Sequence, residues 1–322
     1  MLNDVVNIEL HTDNNYVLAT LVTLASLFKN KNRDSVYNVK VLGNNLTEEN
    51  INLIKQFDVT VIPHSTSLGK FEGTHLFVSS TDLFKFDLPN VLADWDKVLY
   101  LDTDIIVKED LTKLFNTDLK DNYAAVVKDM PGMVVEHNDL RLNLHNYFNA
   151  GIMLLNLKKM REDNVSDKLI DYKLNDDNGR FMSQDALNFV FAEKVIFLHP
   201  KYNFMSPNLT RFTKQEICSF FNIPSEDLNN LKNKIVILHL TNKTKPWNTI
   251  KAKDFNIWYK YFRLLPESNF KKEFDEKFKK ERFDNFLKIL FSVGNEQGKN
   301  NKIYKIVRIL GIKIKFTKKE NK

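Results

Sequence analysis

The chain has 322 residues, 43% hydrophobic and 27% charged, a composition typical of a soluble globular protein rather than a disordered one. This length predicts one large α/β domain with an appendage, or two domains. Dinucleotide-binding and P-loop glycine patterns are absent among the nine glycines, which excludes the usual phosphate-binding loops. The single cysteine, Cys218, excludes an internal disulfide and favours a reducing cytoplasm. We find neither a signal peptide nor an apolar run of membrane-spanning length, so we expect no membrane span.

The formal net charge of +6 is concentrated near the C-terminus. Residues 302–322 contain eight Lys or Arg and one acid, so the rest of the chain is close to neutral. A nearly neutral body with a basic tail argues against a broad nucleic-acid-binding surface. We therefore expect no nucleic-acid partner.

Strand and helix patterns alternate over the first two thirds of the chain. Strands are predicted at residues 5–10, 39–42, 59–62, 98–101, 124–127, 151–157, 195–198 and 235–238, and helices at 16–28, from 47, at 160–174 and at 183–191. The initial order strand–helix–strand–helix–strand indicates a parallel, doubly wound sheet. The polar stretch 65–80 is predicted to be a mobile loop over a site.

The pattern changes beyond residue 250, where phenylalanines recur every four residues among Lys and Glu and predict an amphipathic helix. We therefore predict a domain over residues 1–250 and a helical extension over 251–322. In the tail 302–322, apolar residues at 303, 306, 307 and 310 predict a basic amphipathic helix that ends at Gly311, and residues 312–316 alternate. We expect this tail to adsorb to an anionic membrane surface. The alternative is a solvated tail that docks back on the domain.

The most informative segment is the apolar strand 98–101 followed by Asp102-Thr103-Asp104. Four consecutive apolar residues are typical of a strand buried on both faces of a sheet. Two anions at the end of such a strand repel one another unless a cation lies between them. Because side chains i and i+2 point the same way in an extended backbone, Asp102 and Asp104 can converge on one ion. We predict a magnesium or manganese site at the carboxyl edge of an α/β sheet.

A second copy of this motif, Asp94-Trp95-Asp96, precedes the same strand. Surface turns rich in Asp are common at such positions, so we expect no functional role for this copy. For Asp104 the alternative is a helix N-cap, which would leave Asp102 unexplained.

Three later segments place polar groups next to predicted elements. Asn149-Ala150-Gly151 is predicted to be a small turn where a ligand can approach the backbone, although a tight turn without a ligand fits as well. Ser183-Gln184-Asp185 opens a helix, so Ser183 can be a simple N-cap. His239 ends an apolar strand and is followed by Lys243 and Lys245, cations suited to a diphosphate.

Together these segments resemble glycosyltransferase family 8, retaining enzymes that include bacterial lipopolysaccharide α-galactosyl- and α-glucosyltransferases. The resemblance extends from about Val5 to Trp247. It rests on five segments in this order and spacing: Asp13–Tyr16, Asp96–Asp104, Phe148–Gly151, Gln184–Asn188 and His239–Trp247. It implies a GT-A-like, Rossmann-type nucleotide-binding sheet with flanking helices and an acceptor site alongside.

The resemblance also implies a diphosphate site. Asp102, Asp104 and His239 would hold Mn²⁺ or Mg²⁺ on the diphosphate of a UDP-sugar, and two oxygens with one imidazole favour manganese over calcium. Lys245 would add a second positive charge to the leaving UDP. Asp13 and Tyr16 match positions that bind uracil and ribose.

Other matched positions surround the donor sugar. Thr103, Asn149, Ala150 and Gln184 belong to this donor-binding set, and we take Gln184 and Asn149 as the candidate catalytic residues. Gln184 is a poor nucleophile because an amide oxygen lacks formal charge. We therefore expect front-face attack by the acceptor hydroxyl, with a UDP phosphate oxygen taking its proton. Asp129 is expected near the acceptor, by its location only.

The chain departs from the family pattern at three donor-binding positions. Lys85 stands for the usual arginine, so the charge is kept and the bidentate fork is lost. Ser183 stands for the first Asp of Asp-Gln-Asp. Asn242 stands for a glycine, and Asn tolerates a left-handed backbone better than most residues. We expect these changes to affect donor identity.

These observations predict a retaining, metal-dependent enzyme that moves galactose or glucose from UDP to a sugar hydroxyl of a growing lipooligosaccharide, which we expect to be lipid-linked. We expect it at the inner face of a bacterial cytoplasmic membrane. One alternative is a UDP-sugar-binding pseudo-enzyme. Another is a phosphatase of the haloacid-dehalogenase type, which also places Asp-x-Asp after an apolar strand but has Thr or Val where Ile106 stands and gives His239 no role.

Overall fold

The computed structural model of the protein describes residues 5–64, 83–130, 142–175, 182–227, 233–297, 303–310 and 312–317. The chain forms two compact units, one made of residues 1–243 with 257–265 and the other of 244–256 with 266–322. The loop predicted at 65–80 lies outside the described residues.

The elements are numbered here in chain order. The strands are β1 (Val5–Asp13), β2 (Val36–Asn44), β3 (Thr60–Pro63), β4 (Lys97–Leu101), β5 (Ile105–Val107), β6 (Ala124–Lys128), β7 (Phe148–Asn156), β8 (Val195–Phe197), β9 (Phe204–Met205), β10 (Ile237–His239), β11 (Phe291–Gln297), β12 (Ile303–Ile309) and β13 (Ile312–Thr317). The helices are α1 (Val17–Asn30), α2 (Glu48–Ile54), α3 (Phe84–Val91), α4 (Thr112–Phe115), α5 (Leu157–Glu162), α6 (Val165–Asn175), α7 (Met182–Phe191), α8 (Asn208–Arg211), α9 (Lys214–Phe221), α10 (Phe255–Phe262) and α11 (Asn269–Leu290). Short 3₁₀ helices cover Leu144–Asn146 and Pro200–Tyr202.

The first unit is built on a seven-stranded sheet with the order β3-β2-β1-β4-β7-β6-β8. Strands β3, β2, β1 and β4 all run parallel to one another. Strand β7 runs antiparallel to both of its neighbours, β4 and β6. The parallel half of the predicted sheet is therefore confirmed, and β7 makes the whole sheet mixed. Because β1 and β4 are parallel neighbours, their carboxyl ends meet at one edge. A smaller sheet, β5-β10-β9, begins next to that edge.

Helix α1 packs on the parallel half of the sheet. Every residue from Val17 to Leu27 is buried, including the polar residues Thr20, Thr23 and Ser26. An apolar surface all round is typical of a helix covered on several sides. The buried hydroxyls need hydrogen-bond partners, and two of them find these in the segment that follows β4. The Thr23 hydroxyl donates to the Thr103 carbonyl, and the Ser26 hydroxyl accepts from the Val107 amide.

Two sequence predictions for the first unit need correction. The helix predicted at 160–174 is two helices, α5 and α6, because Asn164 between them has a φ of 52° that no α-helix continues. Residues 149–151 are not a turn before a strand. They lie within β7, which begins at Phe148 and pairs with β6 across a register shift after Val126.

The second unit contains a helix where the sequence predicted one, but an apolar face is found only in its first half: Phe278 is buried, whereas Phe283 and Phe286 are exposed. Helix α11 starts at a side-chain cap, in which the Ser268 hydroxyl accepts a hydrogen bond of 3.1 Å from the Lys271 amide. Within the described ranges, no helix combines the length and the hydropathy that a membrane crossing requires.

The predicted tail helix is wrong. Residues 303–309 form β12, which pairs antiparallel with β11 and β13 in a three-stranded sheet. The spacing of Ile303, Ile306 and Val307 suits a helix, but four of the seven β12 residues are Ile or Val. Branching at Cβ restricts such side chains in helices and suits a pleated surface. The alternation at 312–316 does correspond to a strand, β13.

Candidate functional site

Three metal-binding side chains converge where β4 ends. Asp102 and Asp104 follow β4, and His239 is the last residue of β10, whose antiparallel partner β5 begins directly after Asp104. One ligand atom from each of the three side chains lies within 4.8 Å of the others. The His239 Nε2 atom is 3.0 Å from Asp104 Oδ1 and 3.8 Å from Asp102 Oδ2. The structure thus brings together the three predicted metal ligands.

This donor set fits a hard divalent cation. Two carboxylates and one imidazole are ligands that manganese and magnesium accept, with the imidazole favouring manganese. The imidazole of His239 is buried, while the side chains of Asp102 and Asp104 are 28% and 16% exposed. The cluster therefore opens to solvent on its carboxylate side, where a ligand of the metal could enter.

Helix α1 holds the backbone between the two aspartates. The Thr23 hydroxyl donates to the carbonyls of Thr103 and Ile105, at 2.8 and 2.9 Å. The Asp102 amide donates to the Gly151 carbonyl at 2.7 Å, and the Leu240 amide donates to the Asp104 carbonyl at 2.9 Å. The Thr103 side chain is 7% exposed, so this predicted donor-binding residue offers little surface to a ligand. Thr23 on α1, Gly151 on β7 and Leu240 directly after β10 thus hold the turn.

Gly151 on β7 is required by the metal cluster. A Cβ atom at this position would lie 2.3 Å from His239 Cε1, 2.7 Å from Asp102 Oδ2 and 3.0 Å from Asn149 Oδ1. The sequence predicted that a ligand approaches the backbone here. The close approach is instead made by the side chains of the cluster itself, so any larger residue would displace a metal ligand.

Asp102 has a cationic partner inside the protein. The Lys85 ammonium, at the start of α3, is 3.3 Å from Asp102 Oδ1, and the Lys85 side chain is only 5% exposed. The Tyr100 hydroxyl donates to the same carboxylate oxygen and lies 3.0 Å from His11 Nε2. Lys85, predicted to contact the donor, is therefore placed on the carboxylate of the cluster, which it partly neutralises.

Sequence reasoning missed a further carboxyl near this site, that of Glu9 on β1. Glu9 is fully buried, and neither of its carboxyl oxygens has a hydrogen-bond partner among the described residues. Burial raises the pKa of Glu9 well above its usual range; the positive charge of Lys85 opposes this and Asp102 adds to it. A charged residue between Ile8 and Leu10 in a central strand was a readable signal for this buried group.

A network of side-chain amides continues from the cluster along β7. The Gln184 Oε1 atom accepts from the Ala150 amide at 3.0 Å and from Asn149 Nδ2 at 3.2 Å. Gln184 Nε2 donates to Asp129 Oδ2 at 3.1 Å, and Asn149 Nδ2 lies 3.4 Å from the same oxygen. The structure thus joins both candidate catalytic residues, Asn149 and Gln184, to the candidate acceptor residue Asp129.

Helix α7 presents Gln184 and is pinned to the start of β7. The Asn188 Oδ1 atom accepts from the Phe148 amide at 2.8 Å, and its Nδ2 donates to the Phe148 carbonyl at 2.9 Å. The Tyr147 hydroxyl donates to Asp185, and burial, followed by the charge of Asp185, raises the pKa of Tyr147. Ser183 is 1% exposed and is the second residue of α7 rather than its N-cap.

The predicted uridine-binding residues lie at the carboxyl end of β1, the parallel neighbour of β4. Asp13 Oδ1 accepts from the amides of Asn15 and Tyr16, at 2.9 and 3.1 Å, so it shapes the turn into α1. The Tyr16 side chain is 42% exposed. Tyr16 is therefore partly exposed at the sheet edge that β1 and β4 share.

The segment after β10 is divided between the two units. Asn242 belongs to the first unit, and its Nδ2 donates to the Ser206 hydroxyl at 2.9 Å. Its backbone is not in the positive-φ region, so the tolerance of Asn for a left-handed backbone is not needed there. Lys245 belongs to the second unit, where its ammonium lies 5.8 Å from the centre of the Trp247 ring.

Comparisons with known proteins identify the family of this chain. A family model described as Glycosyl transferase family 8 matches residues 7–251. A lipopolysaccharide 1,2-glucosyltransferase of Escherichia coli is 27% identical over 256 residues, 75% of this chain and 73% of that enzyme. The glycosyltransferase GlyE of Streptococcus pneumoniae serotype 4 is 34% identical over 182 residues, 55% of this chain and 40% of GlyE.

Solved structures show the same fold. An active-site mutant of LgtC matches with a TM-score of 0.68 at 25% identity, over 81% of this chain and 97% of LgtC. The bifunctional glycosyltransferase WbbM matches with a TM-score of 0.70 at 21% identity, over 87% of this chain and 52% of WbbM. The GT-A-like α/β fold predicted from the sequence is confirmed.

Proposed function

The chain belongs to glycosyl transferase family 8, and on that premise we propose that it is a metal-dependent, retaining hexosyltransferase. It transfers galactose or glucose from a UDP-sugar to a sugar hydroxyl of a lipooligosaccharide or lipopolysaccharide. Residues 1–250 form the transferase domain, and 251–322 form its extension. The similarity to a lipopolysaccharide 1,2-glucosyltransferase supports the acceptor class.

The observation that carries this proposal is that two clusters adjoin at Gly151. Asp102, Asp104 and His239 form the first cluster, and Asn149, Gln184 and Asp129 form the second. A Cβ atom at Gly151 would meet Asp102 and His239 of the first cluster and Asn149 of the second. A bound Mn²⁺ or Mg²⁺ would supply Lewis-acid stabilisation of the departing diphosphate. A UDP-sugar is long enough to have its diphosphate at the first cluster and its sugar at the second. The haloacid-dehalogenase alternative gives neither His239 nor the amide network a role.

The bonding of Gln184 favours front-face attack over a covalent intermediate. Its Oε1 atom already accepts two hydrogen bonds, and its Nε2 atom donates to Asp129. Attack by this oxygen on the anomeric carbon would weaken those bonds and use a neutral amide as nucleophile. We therefore assign Gln184 and Asn149 to holding the sugar, and the acceptor proton to a UDP phosphate oxygen. Asp13 and Tyr16 hold the uridine, and for Lys245 the family resemblance implies a role at the departing diphosphate.

A donor screen tests this proposal. Purified protein is given UDP-glucose, UDP-galactose and other UDP-sugars with Mn²⁺ or Mg²⁺ and saccharide acceptors, and UDP release is measured. We expect turnover with at least one hexose donor, and loss of turnover in Asp104→Asn. Tight binding of UDP without turnover on any donor and acceptor would favour the pseudo-enzyme instead.

We also propose that the C-terminal sheet adsorbs to an anionic membrane surface. One face of this sheet carries apolar residues paired by register, which are Phe291, Val293, Val307, Ile309, Ile312, Ile314 and Phe316, and Asn295, Gln297 and Lys305 lie on the same face. Six of the apolar residues are exposed. Lys313 and Lys315 lie on the opposite face, where both pair with Glu296. Apolar residues with neighbouring lysines suit an anionic lipid surface. Such binding would bring a lipid-linked acceptor within reach.

Vesicle co-sedimentation tests this second proposal. Binding to vesicles that contain phosphatidylglycerol should exceed binding to phosphatidylcholine vesicles and should fall as salt is raised. Deletion of residues 302–322 should release the protein, and so should the milder pair Ile314→Ser with Phe316→Ser, which leaves the strands in place. Unchanged sedimentation of both variants would contradict membrane adsorption without affecting the transferase proposal.

A further inference from the structure

Asn203 lies between the two clusters of the site. It follows the 3₁₀ helix Pro200–Tyr202 and precedes β9, the parallel partner of β10. Its side chain is 1% exposed. The Asn203 Oδ1 atom is 2.9 Å from His239 Nδ1, and Asn203 Nδ2 is 2.8 Å from Asn149 Oδ1. One buried amide therefore touches a metal ligand and a sugar-binding residue.

The direction of these hydrogen bonds follows from the backbone. The Gly151 amide donates to Asn149 at 3.0 Å, and because a backbone N–H can only donate, the Asn149 atom facing it is the oxygen. That same oxygen faces Asn203, so the Asn203 atom that meets it is the amide nitrogen. The Asn203 oxygen is then left for His239 Nδ1, which must carry a proton to donate to it.

This assignment leaves His239 Nε2 as the atom that faces Asp102 and Asp104. With the proton at Nδ1, the neutral ring has its lone pair at Nε2 and can bind a metal there. With the opposite tautomer, Nε2–H would donate to Asp104 Oδ1, 3.0 Å away, and would occupy two of the three ligand atoms. The ring tautomer thus decides whether the cluster can accept a cation.

We propose that Asn203 is a positioning residue that couples the metal cluster to the donor-sugar site, by fixing the His239 tautomer and the Asn149 amide together. This inference rests on the proposed function, because it assigns the two clusters to one reaction. Asn203 itself touches neither metal nor sugar in this scheme. Asn203 affects metal affinity through Oδ1, which contacts His239, and affects turnover through Nδ2, which contacts Asn149. Different substitutions can therefore separate the two effects.

Two substitutions make that separation. In Asn203→Asp, the carboxylate still accepts from His239 Nδ1 but cannot donate to Asn149, whose oxygen it repels. We expect Mn²⁺ affinity to stay within about threefold of wild type and kcat to fall at least about tenfold. In Asn203→Leu, a residue of similar size, both contacts are lost. We expect a fall of about 10–100-fold in Mn²⁺ affinity as well as in kcat.

The measurements do not depend on activity alone. Mn²⁺ affinity is obtained by electron paramagnetic resonance of free Mn²⁺, and the ¹⁵N shifts of the His239 ring report its tautomer in the diamagnetic Mg²⁺ and UDP complex. Nδ1 should remain the protonated nitrogen in wild type and in Asn203→Asp, and should lose that preference in Asn203→Leu. Asn188→Leu is the matched control, because Asn188 is also hydrogen-bonded to β7 but contacts no metal ligand. It should lower thermal stability and leave Mn²⁺ affinity unchanged.

The outcomes separate this inference from the proposed function. Wild-type Mn²⁺ affinity in Asn203→Leu, or an equal loss of affinity in both Asn203 variants, would overturn the role of Asn203 while the transferase proposal stands. Absence of both Mn²⁺ binding and turnover in wild type would overturn the proposed function and this inference with it. Circular dichroism of each variant identifies any loss that comes from unfolding.

Discussion

The same motif, Asp-x-Asp, stands at both ends of β4, and the two copies have different surroundings. Asp94 and Asp96 precede the strand, are 63% and 77% exposed, and pair with the surface cations Lys40 and Arg161. Asp102 and Asp104 follow the strand and meet His239, a residue distant in sequence. At the first end each exposed anion has its own cation, whereas at the second end two anions converge on one space. Strand direction, rather than the motif, determines which copy can hold a metal.

The largest expected difference between the two ends is catalytic. Asp102→Asn with Asp104→Asn removes two of the three metal ligands while keeping the side-chain volumes, and we expect UDP release to fall by about 10³-fold or more. Asp94→Asn with Asp96→Asn removes only exposed ion pairs and should stay within about twofold of wild type. Steady-state UDP release at saturating donor measures both. Similar losses at the two ends would contradict the assignment of the metal site.

Gly151→Ala tests the metal cluster that follows β4 without removing any of its three ligands. The new methyl group would overlap His239 Cε1, so the imidazole must move, and we expect Mn²⁺ affinity to fall about 10–100-fold. Gly294→Ala is the matched control, because a Cβ there has no atom within 4 Å. Titration calorimetry with Mn²⁺ and UDP compares the two variants. Wild-type affinity in Gly151→Ala would mean that the cluster does not act as one metal site.

One ion pair from each end can be compared, because the two pairs differ in burial. Lys85→Met leaves Asp102 without its buried cation, and we expect the free energy of unfolding in EDTA to fall by about 2 kcal/mol, less than for a fully buried pair because Asp102 is partly exposed. Lys40→Met breaks the exposed pair with Asp94 and should cost about 1 kcal/mol or less. Urea unfolding measures both changes. A larger loss at Lys40 would reverse the comparison.

Features that depend on a short stretch of sequence could be predicted, whereas features that depend on the pairing of distant segments could not. The convergence of Asp102 and Asp104 depends only on the strand that precedes them and on the two-residue repeat of side-chain direction. His239 joins them through the pairing of β10 with β5, which no local pattern contains. The sequence singled out His239 at the end of an apolar strand, but only the family resemblance implied that it binds the metal. Asn203 had no such signal, because its role arises from contacts made by two distant strands.

The tail shows the opposite failure. The spacing of apolar residues in 303–310 fits a helix, and local periodicity alone cannot reject it. Pairing of β12 with strands on both sides satisfies its backbone and places its β-branched residues on a pleated surface, which outweighs the helical periodicity. The β-branched residue types predict the strand correctly, whereas the spacing of the apolar residues predicts a helix.

The smallest expected effect concerns Glu9, whose buried carboxyl lies near the metal cluster that follows β4. Burial raises the pKa of Glu9. A carboxyl whose pKa is higher in the folded chain than in the unfolded chain contributes its full stabilisation at a pH below the unfolded-state pKa. That contribution is lost as the pH rises through the folded-state pKa. Glu9→Gln cannot titrate. Between about pH 5 and pH 8, we therefore expect the unfolding free energy of Glu9→Gln to rise relative to wild type, by on the order of 1 kcal/mol. Urea unfolding at both pH values, in EDTA, measures this difference. If the unfolding free energies of the two proteins depend on pH in the same way, ionisation of Glu9 does not destabilise the fold. A negative charge would then be tolerated at the end of β4 that holds the metal cluster as well as at the exposed end.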